Sequence, residues 1–431
     1  MSQVLITNGT LITMNASKEI VEAEIWIEND HIQKIGKKLS PKGQYKTISA
    51  KGCWIIPGLI QTHVHLCQTL FRNQAEDLTL LDWLRKRIWP FEGNHTQKTL
   101  RLSAELGIAE LLKGGTTTIL DMGTVHHTDE IFKAIESSGI RAFSGKAIMV
   151  EGEDIPKSLV QTSEVALEET QKLIERWHGK ADGRIRYALA PRFVLSCNES
   201  VLTQIGDLSR KKKLLIHTHA AENREESQWV MRLKGKSNIR YINELGLCGP
   251  NLCLAHCVWV DKAEIEILAQ TKTHVLHCPS SNLKLGSGIA PIPELLQQKV
   301  NVSIGADGAP CNNNLDCFQE MRLAGLIQRP KYGVQALSAK TIFEMATLNG
   351  AKTLGMENDI GSLEVGKKAD MVIIDRTQLH SSPNGDPYTT LVYAAHASDV
   401  RTVFVNGRRV VADGKLLTVN EDEVRKQAKK H

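Results

Sequence analysis

The stretch GLIQTHVH, residues 58–65, is an apolar run that ends in two histidines two positions apart. On an extended strand, residues two apart point to the same side. Seven further short apolar runs follow: TTTILD (116–121), RAFSGKAIMV (141–150), RIRYALAPR (184–192), KLLIHTH (213–219), NLCLAHC (251–257), THVLHC (273–278) and NVSIGAD (301–307). Between them lie helical patterns such as residues 96–113, where Thr96 is placed to cap and Gly114 to close. Strand alternating with helix predicts an α/β fold with a parallel sheet. Eight such units over roughly 300 residues predict a closed (β/α)8 TIM barrel rather than an open sheet.

The two ends of the chain have a different texture. Residues 4–12 and 24–35, and again 369–375 and 401–412, alternate apolar and polar side chains around turn signals such as Asn8-Gly9 and Asn406-Gly407. Neither end has enough strands to bury two faces. The expectation is therefore a small composite β-sandwich, 1–56 with 359–431, assembled around a central barrel, 57–358.

Composition excludes several classes. The chain has 431 residues, 42% hydrophobic and 23% charged, which is globular. Its 53 basic and 48 acidic residues leave a net charge of only +5, too weak to argue for a nucleic-acid partner, and 5% aromatics make a base-stacking platform poor. The basic runs at 210–213 and 426–431 read as solvated faces. No apolar stretch approaches the ~18 residues of a membrane span, and the opening MSQVLITNGTLITM (1–14) lacks the pattern of a secretory leader. Nine scattered cysteines without a C-x-x-C pair fit a reducing cytoplasm, not a disulfide framework.

Catalytic groups in a barrel belong at the carboxyl ends of its strands. Here those ends carry His63 and His65, Asp121, Lys146, Arg192, His217 and His219, His256, His277 and Asp307. A lone histidine would read as a core residue, but a titratable or cationic group ends every strand. His63 and His65 can share one ion, which His219 and Asp307 can close at the barrel mouth. Imidazole nitrogen with carboxylate oxygen suits one divalent ion, zinc first, with iron(II) tolerated by the same set. Glu222, three residues past His219, could shuttle a proton to a substrate above the ion, although Glu225 and Glu226 beside it also read as a solvated helix start. His256 could hydrogen-bond the ion's water. Cys253 and Cys257 flank it, but the continuous strand leaves no turn for a zinc knuckle.

PGLIQTHVH (57–65), HTHAAE (217–222), AHC (255–257) and GADGAPCNNNLD (305–316) together resemble the amidohydrolase superfamily, in its mononuclear aminohydrolase branch. The resemblance covers nearly the whole chain, including the composite sandwich. It implies metal ligands at His63, His65, His219 and Asp307, with Asp307 also a base, proton shuttling by Glu222 and a supporting role for His256. SNLKLGSGIAP (281–291), NNNLDCFQEMRLA (312–324) and LLDWLRKRIWPFE (80–92) are similar to deaminases of 5′-modified adenosines: 5′-deoxyadenosine, methylthioadenosine and S-adenosylhomocysteine. That resemblance implies hydrolysis of the C6 amino group to the inosine analogue with release of ammonia. It also places Trp83 and Glu92 around the nucleoside, with Glu92 as a clamp for the ribose diol.

Two positions depart from that pattern, Arg192 standing for a histidine and Lys146 for an arginine. PRFVLSC (191–197), Gln68 and ENREE (222–226) instead look like guanine deaminase, in which the arginine and glutamine read purine edges. A small 5′ substituent, as in 5′-deoxyadenosine, reconciles both sets. Alternatives are a guanine deaminase-like enzyme acting on a free base, an s-triazine chlorohydrolase, a binuclear ring-amide hydrolase using Lys146 or His256, and a barrel turned scaffold. The H-x-x-E arrangement at His219 and Glu222 opposes the binuclear site, and filled ligand positions oppose the scaffold. The partner expected is a small aminopurine nucleoside or base, with no nucleic acid and no membrane. Barrel enzymes of this size often dimerise, so a homo-oligomer stays open.

Overall fold

The computed structural model describes residues 3–152 and 154–431. The first strands are β1 (Gln3–Ile12), β2 (Ile20–Glu28), β3 (His31–Gly36), β4 (Lys46–Ser49) and β5 (Cys53–Pro57). In β2 every second residue, Ala23, Ile25 and Ile27, is buried while its neighbours are not. That is the signature of a sheet with one dry face.

The central segment has a different pattern: β6 (Leu59–Val64) and β7 (Thr116–Met122) are buried at every position, as strands covered on both faces must be. They pair in parallel with each other and then with β8 (Arg141–Gly145). Beyond β8 lies the short β9 (Ala147–Ile148), and β10 (Ile185–Tyr187) pairs parallel with β8. β11 (Ala190–Pro191) pairs with β9 in the same sense. A second parallel sheet follows: β12 (Ile216–Ala220), β13 (Leu252–His256), β14 (His274–His277) and β15 (Val302–Ile304). Parallel bridges Leu189–Ile216 and Val64–Asp307 join the two sheets at both edges, so the pairings return to the strand on which they began.

Glycine is required where that return is made. A Cβ on Gly305 would sit 2.6 Å from the carbonyl oxygen of His63. Without it, the chain after β15 comes close enough for the Asp307 amide to donate to that carbonyl at 2.9 Å.

The last strands are β16 (Met371–Asp375), β17 (Val400–Val405), β18 (Arg408–Ala412) and β19 (Lys415–Leu416). They join the first five in one nine-stranded sheet of order β19-β18-β17-β16-β5-β1-β2-β3, with β4 beside β1. The hydrogen bonding thus differs from the two sheets that a sandwich implies. The seam is β5 against β16, antiparallel, with Pro57 opposite Met371 and Trp54 opposite Ile374. Ile25, Ile27, Leu11, Ile55, Met371 and Phe404, drawn from both termini, share one apolar core under it.

A buried ion pair ties this sheet to the central strands. Arg141 at the start of β8 donates from Nε to Asp370 Oδ2 (2.8 Å) and from Nη2 to Asp370 Oδ1 (2.9 Å). Neither side chain is more than 2% exposed. All nine cysteines are free thiols. Among the described residues, no helix is long and apolar enough to cross a membrane.

Candidate active site

Four strand-end side chains converge. One ligand-type atom from each of His63, His65, His219 and Asp307 lies within 4.8 Å of the others. The backbone bends sharply to deliver them and their neighbours: Asp307 (φ 64°), His256 (φ 74°) and Ala221 (φ 51°) all adopt the left-handed region. Non-glycine residues hold that conformation only when their surroundings enforce it.

Each imidazole is oriented by its other nitrogen. His65 Nδ1 donates to the Met122 carbonyl (2.9 Å), His219 Nδ1 to the Arg192 carbonyl (2.6 Å), and His63 Nδ1 meets His217 Nε2 at 2.7 Å. The Nε2 lone pairs of His65 and His219 are left facing each other 3.2 Å apart. His63 Nε2 is buried without a hydrogen-bond partner, and the Nε2 atoms of His63 and His65 each lie 3.3 Å from Asp307 Oδ1. Lone pairs crowded on a carboxylate repel unless a cation lies among them, so this donor set fits a divalent metal. Burial holds His63 down to about 4 and lowers His65 and His219 as well. Burial would raise Asp307, but His63, His256 and His65 outweigh it and hold the carboxyl well below its usual range. Neutral imidazole and ionised carboxylate are the forms that bind metal.

Glu222 and His256 stand beside this group. Glu222 Oε2 is 3.5 Å from His256 Nε2, which is 3.8 Å from Asp307 Oδ2. His256 is anchored through Nδ1 on Asn282 Oδ1 (2.8 Å), and Ser281 Oγ donates to Asp307 Oδ2 (2.6 Å). Burial, reinforced by the charges of Asp307 and Glu226, pushes the Glu222 carboxyl well above its usual value.

A cavity opens onto the group, lined by His65, His219, Glu222, His256 and Asp307 on one side. Gln68, Trp83, Arg192 and Phe193 form the rest with Leu80, Leu81, Leu84 and Glu226. That mix of apolar wall and a few convergent polar groups is the lining of a small-molecule site. Three of the five substrate-side residues expected from the sequence, Gln68, Trp83 and Arg192, therefore face it.

The other two do not. Lys146 follows the end of β8 and turns outward, where Nζ pairs with Glu169 on the helix Ser163–Trp177 at 3.0 Å and with Gln161. The strand has ended at Gly145, whose missing Cβ admits the Ala188 carbonyl, and Lys146 has left the inward face. Glu92 lies behind the wall, its carboxylate taken by Arg192 and Gln68. Sequence reasoning gave no role to Ser281 or Asn282, named His217 only as a strand-end group, and read Glu226 as part of a solvated helix start, whereas it is buried. For His217 a signal existed, since the period of two that picked His219 picks His217 equally.

The amidohydrolase family matches residues 54–410, and the chain belongs to that family. Among its relatives, a 5′-deoxyadenosine deaminase of Methanothermobacter thermautotrophicus is 39% identical over 422 residues, 98% of this chain and 96% of its own. A 5-methylthioadenosine/S-adenosylhomocysteine deaminase of Syntrophobacter fumaroxidans is 37% identical over 428 residues, with the same 98% and 96% shares. Among solved structures, an adenosine deaminase from Xanthomonas campestris with bound zinc superposes with a TM-score of 0.93 at 29% identity, covering 100% of this chain and 97% of that one. A triazine hydrolase from Arthrobacter aurescens gives 0.94 at 25% identity (100% and 99%). Guanine deaminase of E. coli gives 0.86 at 29% identity (96% and 100%).

Proposed function

We propose that this protein is a metal-dependent aminohydrolase that removes the C6 amino group of a 5′-modified adenosine (5′-deoxyadenosine, methylthioadenosine or S-adenosylhomocysteine), giving the inosine analogue and ammonia. The observation that carries the reading is the three imidazoles and one carboxylate gathered at the floor of a cavity, with a second carboxyl, Glu222, beside them. Relatives of near-full coverage that bear the names of such deaminases support the substrate class.

His63, His65, His219 and Asp307 would hold the ion, zinc in preference to iron(II) given three nitrogens and one carboxylate oxygen. A divalent ion in that position supplies the Lewis acidity that lets water lose a proton near neutral pH. Asp307, ionised, takes that proton at its carboxylate as the water attacks C6. Glu222 delivers its own proton to the adjacent ring nitrogen, drawing electron density off the attacked carbon. Asp307 then passes its proton to the amino nitrogen, which leaves as ammonia, while the hydroxyl proton on C6 returns to Glu222; His256, steadied by Asn282, presents Nε2 between the two carboxyls. Trp83 and the leucines exclude water, and Arg192 and Gln68 offer polar groups to the substrate.

The same proposal takes the ring of eight parallel strands as a (β/α)8 barrel, 57–358. It takes the terminal sheet as a composite β domain of 1–56 and 359–431 that closes over its own core. Nine free thiols support a reducing cytoplasm. A second reading, deamination of a guanine-like base, is favoured by Arg192 and Gln68 both facing the cavity.

The test is ammonia release from 5′-deoxyadenosine, methylthioadenosine, S-adenosylhomocysteine, adenosine and guanine, with metal counted per chain. Turnover of 5′-modified adenosines with one ion per chain is expected. Turnover of guanine alone would establish the second reading, and two ions per chain would overturn the mononuclear site.

A further inference from the structure

The carboxylate of Glu92 is held by side-chain donors on both oxygens. Arg192 Nη1 donates to Oε2 at 2.5 Å, and Arg192 Nη2 and Gln68 Nε2 donate to Oε1 at 3.1 and 2.9 Å. The Cys67 thiol approaches Oε1 at 4.0 Å. A carboxylate offers about four lone-pair sites; three of these donors converge on Oε1 and one meets Oε2. Its side chain is fully buried and does not line the cavity. A residue so placed does not reach a ribose diol.

Arg192 does line the cavity, and its donors are only partly used. Of the five guanidinium N–H groups, two go to Glu92 and one to Met149 Sδ at 3.9 Å. Among the described residues, Nε–H and the second Nη2–H have no protein acceptor. A two-point carboxylate contact fixes the plane of a guanidinium and therefore the direction of its remaining donors.

We infer that Glu92 is a positioning residue that acts through Arg192, and that the guanidinium it aims, not the Glu92 carboxylate, makes the polar contact with the substrate. The inference rests on the aminohydrolase reading above and deepens it. Arg192 presents two fixed donors to acceptor atoms of the bound molecule, and Gln68 braces the same carboxylate from the other side.

The test compares 5′-deoxyadenosine with 2′,3′-dideoxyadenosine, which lacks the diol, in the wild type, Glu92→Gln, Arg192→Gln and the double variant. If Glu92 works through Arg192, Glu92→Gln raises KM by the same factor for both substrates, roughly tenfold, the weight of one lost charge-assisted hydrogen bond. Metal content and kcat stay near wild type, and the double variant is no worse than Arg192→Gln alone. General damage to the fold would instead lower kcat and metal content together, and would overturn the assignment. So would a penalty confined to 5′-deoxyadenosine and additive with Arg192→Gln, because a direct diol clamp produces that pattern. A crystal structure of the wild type with 5′-deoxyinosine gives an answer that needs no variant. Glu92 still on Arg192 supports the inference, and Glu92 on the two ribose hydroxyls overturns it. A wild type inert towards every adenosine removes the aminohydrolase reading and this inference together, whereas an active wild type with a diol-only penalty removes this inference alone.

Discussion

His63 Nδ1 lies 2.7 Å from Nε2 of His217, and both rings are completely buried. Two ring nitrogens at that separation share one proton, and His217 Nδ1 has no partner of its own. A proton on Nδ1 of His217 leaves its Nε2 to accept from His63, which frees His63 Nε2 for an ion.

His217 should therefore control metal affinity without touching metal. His217→Leu is expected to weaken zinc binding by about 10–100-fold, the usual weight of such a partner. His217→Gln, which still offers an acceptor oxygen, should lose much less. Chelator competition measures both, and equal losses in the two variants would remove the orienting role.

Glu222→Gln keeps the volume of the side chain and deletes its transferable proton. Full metal content with turnover reduced by ~10²–10⁴ is expected, the range for a positioned acid–base group. Wild-type turnover in this variant would show that the proton comes from elsewhere.

The Arg141–Asp370 pair predicts a stability effect with no chemical one. Replacing Asp370 by Asn leaves a guanidinium buried without its counter-charge, at a cost of about 3–5 kcal/mol. Urea unfolding should report that loss, while kcat of the folded fraction stays at the wild-type value. A change below ~1 kcal/mol would mean that water or Asn406, which also accepts from Arg141, compensates.

Glu320 gives a pH signature. Burial pushes its carboxyl up to about 7, although Ser280 and Asn312 donate to it and pull the other way. A folded-state value above the unfolded one means that the folded protein binds more protons between pH ~4.5 and ~7. Stability from this group is full below pH ~4.5 and falls as pH rises to ~7, by roughly 3 kcal/mol in all. Glu320→Gln should flatten that slope in urea titrations at pH 5, 6 and 7. An unchanged slope would assign it to Asp121 or Glu226, which burial also raises to about 7.

The metal-ligand candidates were legible because a parallel strand presents its last inward residue to a shared mouth. His63, His65, His219 and Asp307 all lie at or just past such strand ends, but strand periodicity narrows the choice without making it, since His217 fits the same period. Lys146 misled because apolar runs show where a strand passes but not the residue at which it stops. Glu92 and Arg192 are 100 residues apart, and nothing local to either announces that they will neutralise each other. The terminal sheet shows the same limit. Alternation revealed strands with one dry face, but only the pairing of β5 with β16 decides whether they form one sheet or two.

That seam also sets an order of events. The β5 edge at Pro57 is complete only when Met371 arrives, more than 300 residues later in synthesis. Strand β5 must wait, unpaired on that side, until more than 300 further residues have been made. Chains cut short before Met371 would keep a bare, apolar strand edge, the kind that recruits other chains.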